Sequence, residues 1–539
     1  MACGTPAANE RRIAMKNDQD CNHLSWGDAL FLYLEREGMP LNIASVSVFE
    51  GDIPLDACIQ SIGSRLPFLP RYYQRVVTPP WNIGFPTWED DPNFDIRNHI
   101  REITLKRGTE AELKTLAGKI LGTVMDRERP LWDITLVHGL GGNRSALVLR
   151  IHHCLADGIA GVGLVMNVLM DPSPEPRLLP KKKHSRRRRR PQAPSTRLLD
   201  GWISSYSDIL HQALTAHSDM LSIGERMAAS GGEWPSREIA RFLPELTAPP
   251  ERLFFNVTYQ GPQKFAWAKI PLAEIKAIRE RCGGTHNDVV LALITATIRR
   301  YAELHGDKVR GRLLRMMVPV SVRANGNATE LGNRISLLPV NVPLGIRSPR
   351  KLLTAVQKRM EFLKRRNVAE LVGLAGELVG LVPAPLQAVI GPFVSVLPIT
   401  PFNLVCTNIR GPQTPLYLLG HKMLDWYPYV PIGGEMTVNC AILSYNDVSY
   451  FGFSGDVQAA PDLGRLETFL KMSFEELRRA AGIRPPRRKK ATNTKPVLAP
   501  QPTTPIHPTV LAPTPVIRPE PSQRSAAEKE HQPAPMAAD

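Results

Sequence analysis

Hydrophobic spacing along residues 24–170 switches repeatedly between the helical and the extended period. Ser25 precedes a run in which Leu30, Phe31, Tyr33 and Leu34 share one helical face, which predicts a Ser-capped helix through Glu35. Ile43 to Phe49 alternates as a strand does, and Ala111 to Met125 is helical again. Trp132–Val137 and Ala146–Ile151 are apolar, β-rich runs separated by GLGGNR at 139–144, the pattern of a hairpin. An apolar helix is expected from Gly158 to Met170, and helical spacing returns from Leu198 to Met227. From about Pro249 to Ile483 the alternation repeats. Strands are expected at Phe265–Ile270, Leu314–Val322, Ile335–Val342, Phe402–Thr407, Met436–Ser444 and Val448–Phe453. Helices are expected at Leu272–Arg281, Asp288–Leu304, Arg350–Arg365 and Leu463–Ala481. The fold class is therefore α/β, in two halves of about 200 residues each.

Composition separates these halves from their appendages. The chain divides into an N-terminus (1–21), a first half (22–170), a Pro-rich polybasic linker (171–197), a helical connection (198–248), a second half (249–483) and a Pro-rich tail (484–539). Residues 181–190, KKKHSRRRRR, hold eight cationic side chains and no acid. Residues 484–539 hold nine Lys/Arg against four Asp/Glu, with thirteen prolines and no aromatic residue. Together these segments carry thirteen of the sixteen net positive charges, so the halves are nearly balanced at +3. The tail has too little apolar surface to offset the entropy of ordering and is expected to be disordered. Seven scattered cysteines without a CxxC pair argue against a disulfide framework or zinc knuckle and for a reducing compartment. The first twenty residues contain no apolar run, which excludes a secretory signal within them. The apolar stretch 368–405 is broken by prolines 383, 385, 392, 398 and 401, whereas a spanning helix needs roughly 20 uninterrupted apolar residues. It reads as core helices or as a partly exposed lipid-contacting surface.

The sharpest chemical signal is IHHCLADGIAG at 151–161, placed between a strand and a helix. A histidine followed by an acid four residues on suggests a general base, because a neutral imidazole accepts a proton near neutral pH. Asp157 is placed to hold the loop or bias the tautomer, and Gly158 permits a turn that a side chain would block. Successive strand residues face opposite ways, so His152 reads as a buried core or supporting residue. The same geometry argues against both histidines ligating one metal ion. There is no HExxH, GxSxG, Walker A motif or strand-to-helix GxGxxG. A lone base acting on a substrate hydroxyl is what remains.

The frame HHCLADG, preceded by RPLWDITLVHGL (129–140), resembles the bacterial wax ester synthase/acyl-CoA:diacylglycerol acyltransferase family. LSWGDALFLYLE (24–35), NDVVLALI (287–294), VPVSVR (318–323), LGNRISLLPVNVP (331–343) and TNIRGP (407–412) resemble further family segments in order and spacing. The resemblance spans about residues 22–480; Thr407 stands where serine is usual. It implies the CoA-dependent acyltransferase fold, two related α/β halves with mixed sheets around a central channel. It further implies His153 as the general base and no acyl-enzyme, with acyl-CoA as a co-substrate and no cofactor. Asp157 would be structural, paired with a buried cation. Asn287 would donate to the oxyanion or merely cap a helix. Pro130, Leu131 and Trp132 would pack around the site or line the channel; Asp288, Asn408 and Arg410 are further channel candidates, a plain strand-ending turn being the other reading of the last two.

The implied activity is acyl transfer from acyl-CoA to diacylglycerol, to a long-chain alcohol, or to both. Its competitors are condensation-type transfer from a carrier-protein thioester and a non-catalytic lipid-surface role. A cytoplasmic protein held peripherally at the inner face of the membrane or at lipid droplets is expected, with 181–190 read either as the contact or as a solvated linker. With the charge confined to appendages, nucleic acid is an unlikely partner.

Overall fold

A computed structural model describes residues 23–79, 82, 85–156, 158–176, 249–321, 335–365, 368, 384–394 and 402–484. The expectations for the N-terminus, the polybasic block, the helical connection and the tail lie outside these residues.

The first half opens with α1 (Trp26–Leu34), where Ser25 Oγ accepts the Asp28 N–H at 3.1 Å. There follow β1 (Asn42–Glu50), α2 (Leu55–Arg65), β2 (Gln74–Val77), β3 (Thr87–Asp90), β4 (Ile100–Thr104) and α3 (Glu110–Leu121). Then come β5 (Trp132–Leu140), β6 (Arg144–His152) and α4 (Gly158–Leu164), which runs into a single π turn over Val165–Leu169. The hairpin between β5 and β6 closes where Gly142 and Asn143 take φ of 82° and 51°, a backbone that glycine and asparagine adopt readily.

The second half comprises β7 (Gln263–Pro271), α5 (Leu272–Cys282), α6 (His286–Leu304), β8 (Leu313–Ser321), β9 (Ile335–Pro343), α7 (Pro349–Arg365) and α8 (Ala384–Val394). It continues with β10 (Leu404–Arg410), β11 (Tyr417–Leu418), β12 (His421–Tyr429), β13 (Val438–Tyr445), β14 (Val448–Asp456) and α9 (Arg465–Ala480).

Two six-stranded mixed sheets result, in the orders β11-β12-β1-β6-β5-β4 and β7-β14-β13-β10-β8-β9. The halves are not separate in the way the sequence suggests. Strand β12, absent from the expected strands, crosses into the first sheet and pairs antiparallel with β1 from Ala44↔Tyr429 to Phe49↔Met423. Its face is aromatic, with Trp426, Tyr427 and Tyr429 all buried, while Lys422, Asp425 and Pro428 obscure any clean alternation. The crossing gives β1 a partner on each side and makes it interior, which is why eight of its nine residues are at least partly buried.

The cores interleave as well. Phe265, Trp267, Leu443, Tyr445 and Tyr450 of the second half pack into the core of the first. Helix α3 lies so close to β7 that a Cβ on Gly118 would sit 2.9 Å from the Gln263 carbonyl oxygen. Lys114 of α3 reaches Glu467 of α9 at 2.7 Å while its ammonium sits 5.0 Å from the centre of the Trp267 ring.

Helix α8, within the proline-broken stretch, resolves its two readings by face. Gln387 and Gly391 are buried and the helix packs on α1, whereas Leu386, Val389 and Ile390, spaced i, i+3, i+4, are 48%, 61% and 41% exposed. No described helix is long and apolar enough to cross a membrane.

One buried ion pair ties the end of the first half to the crossing segment. Arg65 Nη2 and Nη1 grip Asp171 Oδ2 and Oδ1 at 2.7 and 3.2 Å, and Asp171 exchanges two backbone hydrogen bonds with Tyr417 of β11. Removing one partner strands a buried charge, typically at a cost of about 3–5 kcal/mol. Asp171→Ala is therefore expected to lower the melting temperature by several degrees, measured by circular dichroism. An unchanged melting temperature would contradict this reading.

Candidate active site

His152 closes β6, a strand flanked by β1 and β5, and His153 is the first residue beyond it. The β1–β6 ladder aligns Asn42 with His152, and a hydrogen bond from the His153 N–H to the Leu41 carbonyl (2.9 Å) carries the pairing one step further. The backbone of His153 is thus fixed by a strand interior to the sheet, although the residue itself has left it.

The two imidazoles have different surroundings. His152 is fully buried; its Nδ1 accepts the Cys154 N–H at 3.1 Å, which leaves the proton on Nε2, 3.3 Å from Glu35 Oε1. Glu35 ends α1, and its side chain is 1% exposed. It accepts the Leu41 N–H at 3.0 Å through Oε1 and pairs with Arg127 Nη2 at 3.1 Å through Oε2. Burial opposes ionisation of Glu35, but His152, the Leu41 N–H and Arg127 outweigh it and hold the carboxyl below its ordinary value.

His153 is half-buried and stacks on Phe31 of α1, ring centroids 3.8 Å apart and planes 13° from parallel. Of its two ring nitrogens, only Nδ1 is both buried and without a hydrogen-bond partner among the described residues. Burial pushes its pKa down to about 4; its own backbone acts in the opposite direction and His152 in the same one. The ring is therefore neutral, the form a base requires, throughout the physiological range. Cys154 is no competing nucleophile, because burial, with Asp28 and Glu35 adding to it, pushes its thiol well above the ordinary value.

The remaining candidates divide into packing residues and a second polar cluster. Pro130, Leu131 and Trp132 are all buried. Leu131 packs with Cys154, Leu32 and Tyr33, while Trp132 donates Nε1–H to the Tyr72 carbonyl at 2.9 Å and stacks on His99 at 4.5 Å. These contacts describe support around β6 rather than an open wall. Asp288 is 4% exposed and forms a capping box: its Oδ2 accepts the Thr285 N–H at 2.7 Å and its N–H donates to Thr285 Oγ1 at 3.2 Å. The cap of α6 is thus Thr285, and Asn287 is free of that duty. Asn287 Oδ1 instead accepts from Asn408 Nδ2 at 3.1 Å.

Asn408 and Arg410 lie within β10, not after a strand as expected; Arg410 is its exposed last residue. The strand runs on because Asn408 to Arg410 pair in parallel with Ile442 to Ser444. Helix α4, which follows the histidines, touches both β1 and β10, so this segment lies where the two sheets meet. Gly158 is the first residue of α4, and Asp157 lies outside the described residues. Sequence reading did not single out Phe31, Glu35 or Arg127 as site residues. The one local signal was the four-residue spacing of Phe31 and Glu35, which puts both on one helical face.

The arrangement of two mixed sheets, with a histidine pair at a strand exit beside their junction, is shared as a fold with solved structures. The first condensation domain of the calcium-dependent antibiotic synthetase shares the fold at 16% identity, TM-score 0.51, over 85% of this chain and 97% of that one. The wax ester synthase/diacylglycerol acyltransferase from Marinobacter aquaeolei VT8 shares it at 24% identity, TM-score 0.58, over 86% of this chain and 100% of that one. Residues 24–290 match the wax ester synthase/diacylglycerol acyltransferase catalytic domain, and residues 331–478 match the family's C-terminal domain. A putative diacylglycerol O-acyltransferase of Mycobacterium bovis is 31% identical over 449 residues, 83% of this chain and 93% of that protein. A probable diacylglycerol O-acyltransferase of Mycobacterium tuberculosis is 27% identical over 467 residues, covering 85% and 98% respectively. The chain belongs to the wax ester synthase/diacylglycerol acyltransferase family and is an acyltransferase.

If His153 acts as the base, its depressed pKa sets the pH dependence. As pH falls from 7.5 to 5, kcat/KM for acyl-CoA is expected to stay level, with the acidic limb centred near 4, on protein whose circular dichroism is unchanged. A limb centred at the unperturbed imidazole value of about 6.5 would contradict the burial argument.

Proposed function

We propose that the chain transfers a fatty acyl group from acyl-CoA to the hydroxyl of diacylglycerol, of a long-chain alcohol, or of both, with His153 as general base. The observation that carries this reading is the neutral imidazole fixed at the exit of β6, its Nδ1 sealed and its ring held against Phe31. Nε2 takes the proton of the acceptor hydroxyl as its oxygen attacks the thioester carbonyl. The tetrahedral intermediate collapses by breaking the C–S bond, and the departing CoA sulfur takes the proton back from Nε2. The ester and CoA–SH are the products and the imidazole is regenerated neutral. No covalent enzyme intermediate is required when both substrates are held together, because positioning itself lowers the barrier.

Asn287 is the donor we assign to the oxyanion. Its Oδ1 is committed to Asn408, which orients the amide and leaves Nδ2 available. Asp157 is assigned a structural role in the loop. Acyl-CoA and acceptor approach the imidazole from opposite ends of a channel between the halves, the arrangement the family resemblance implies. The acceptor lipid reaches the protein at an anionic membrane or droplet surface through the cationic block 181–190, each charge contributing roughly 1 kcal/mol to surface attraction.

His153→Ala is expected to lower kcat by about 10²–10⁴-fold in a lipid-product assay offering diacylglycerol and hexadecanol together with one acyl-CoA. Wild-type rates from this variant would end the general-base reading. Deleting 181–190 is expected to reduce the fraction floating with anionic vesicles at low salt and to leave little difference at high salt. Equal flotation of both proteins at low salt would remove the block from the account.

A further inference from the structure

The charged cluster beneath the histidine pair is not used by the chemistry above, yet it is linked through Leu41 to the base. We infer that Glu35 is a positioning residue for His153, joining helix α1 to the β6 exit through its single buried carboxylate. The inference rests on the reading of His153 as the base.

Three connections converge on Glu35, two through its carboxylate and one through its backbone. Oε1 accepts the Leu41 N–H at 3.0 Å, and the carbonyl of that same Leu41 accepts the His153 N–H at 2.9 Å. The peptide units flanking Leu41 therefore relay the position of Glu35 directly to the backbone of His153. Oε1 also stands 3.3 Å from His152 Nε2, so the buried residue next to the base is held by the same atom. Finally, Glu35 follows α1 directly, and its own N–H donates to the Phe31 carbonyl at 3.1 Å. Phe31 carries the ring stacked on His153. The side chain thus ties the backbone of the base to its neighbour, and the residue's own N–H ties the same point to the helix turn that carries the aromatic platform.

The placement is costly enough to demand a reason. A carboxylate that is 1% exposed needs compensation, and Arg127 supplies it from a partly exposed position at 3.1 Å, reinforced by a 2.8 Å bond from Arg127 Nη2 to the Leu32 carbonyl of α1. A purely structural anchor between α1 and Leu41 would need only a neutral acceptor. The charge matters at His152, whose Nε2 lies within 3.3 Å of it, and at the ion pair with Arg127. A misplacement of about 1 Å at a reacting group can cost about 10²-fold in rate. Loss of Glu35 should therefore appear in kcat rather than in KM.

Purified full-length Glu35→Gln, Glu35→Ala and His153→Ala variants test this with acyl-CoA and diacylglycerol as probes. Glu35→Gln keeps an acceptor for the Leu41 N–H and removes the charge; Glu35→Ala removes both. The expected kcat losses are about 10-fold for Gln and about 100-fold for Ala, with both KM values within about twofold of wild type. Should Glu35→Ala fail to fold, the kcat-against-KM split of Glu35→Gln decides alone. A lowered melting temperature with unchanged kcat per folded molecule would reduce Glu35 to a structural anchor and overturn the inference. Normal turnover in both Glu35 variants beside an inactive His153→Ala would overturn it while sparing the base. An active His153→Ala would instead remove the reading on which it rests.

Discussion

The hydrogen bond from the His153 N–H to the Leu41 carbonyl is the constraint on which the site depends. It extends the β1–β6 ladder beyond the last residue of β6, so His153 inherits the rigidity of an interior strand while its ring leaves the sheet. β1 provides that rigidity because β12, arriving from some 380 residues downstream, covers its other edge. The crossing strand is therefore part of how the imidazole is held, although none of its residues touches it in the described contacts. Without β12, β1 would be an edge, and the ladder that positions His153 would rest on one neighbour.

Burial does the electrostatic work around this anchor. The same low-polarity surroundings that keep His153 neutral also make Cys154 inert, and they set Glu35 below its ordinary pKa only because three partners outweigh desolvation. Adjacent residues in sequence thus acquire separate roles from one environment. His152 is sealed and hydrogen-bonded, His153 buries an Nδ1 without a hydrogen-bond partner among the described residues, and Cys154 packs against Leu131 in the core below. The Asn287–Asn408 pair adds a second, uncharged polar cluster from the other sheet, with α4 touching β10 between the two.

Much of this was legible in the sequence, and the gaps have physical causes. The expectation that His152 and His153 face different surroundings holds, but not through alternation along β6, both of whose faces are buried: His152 ends the strand in the core and His153 begins the turn after it. The helices α6, α7 and α9 were found at their expected places, since long amphipathic runs carry their own signal. Strand β12 was missed because Lys422, Asp425 and Pro428 interrupt its pattern and its partner is remote in sequence. Asn287 was considered as a cap because it stands just before the apolar run; the Thr285–Asp288 spacing, a capping box, marks the true start two residues earlier. Glu35 escapes sequence reading for a different reason: its partners His152 and Arg127 lie more than ninety positions away, and the four-residue spacing from Phe31 does not announce them.

The central claim is that a neutral imidazole effects one direct transfer between two bound substrates. Intact-protein mass spectrometry of the full chain mixed with acyl-CoA in the absence of acceptor tests it most directly. The account predicts an unmodified protein mass, with ester formed only after diacylglycerol or alcohol is added. A stoichiometric acyl adduct, formed before the acceptor arrives and discharged by it, would contradict the account.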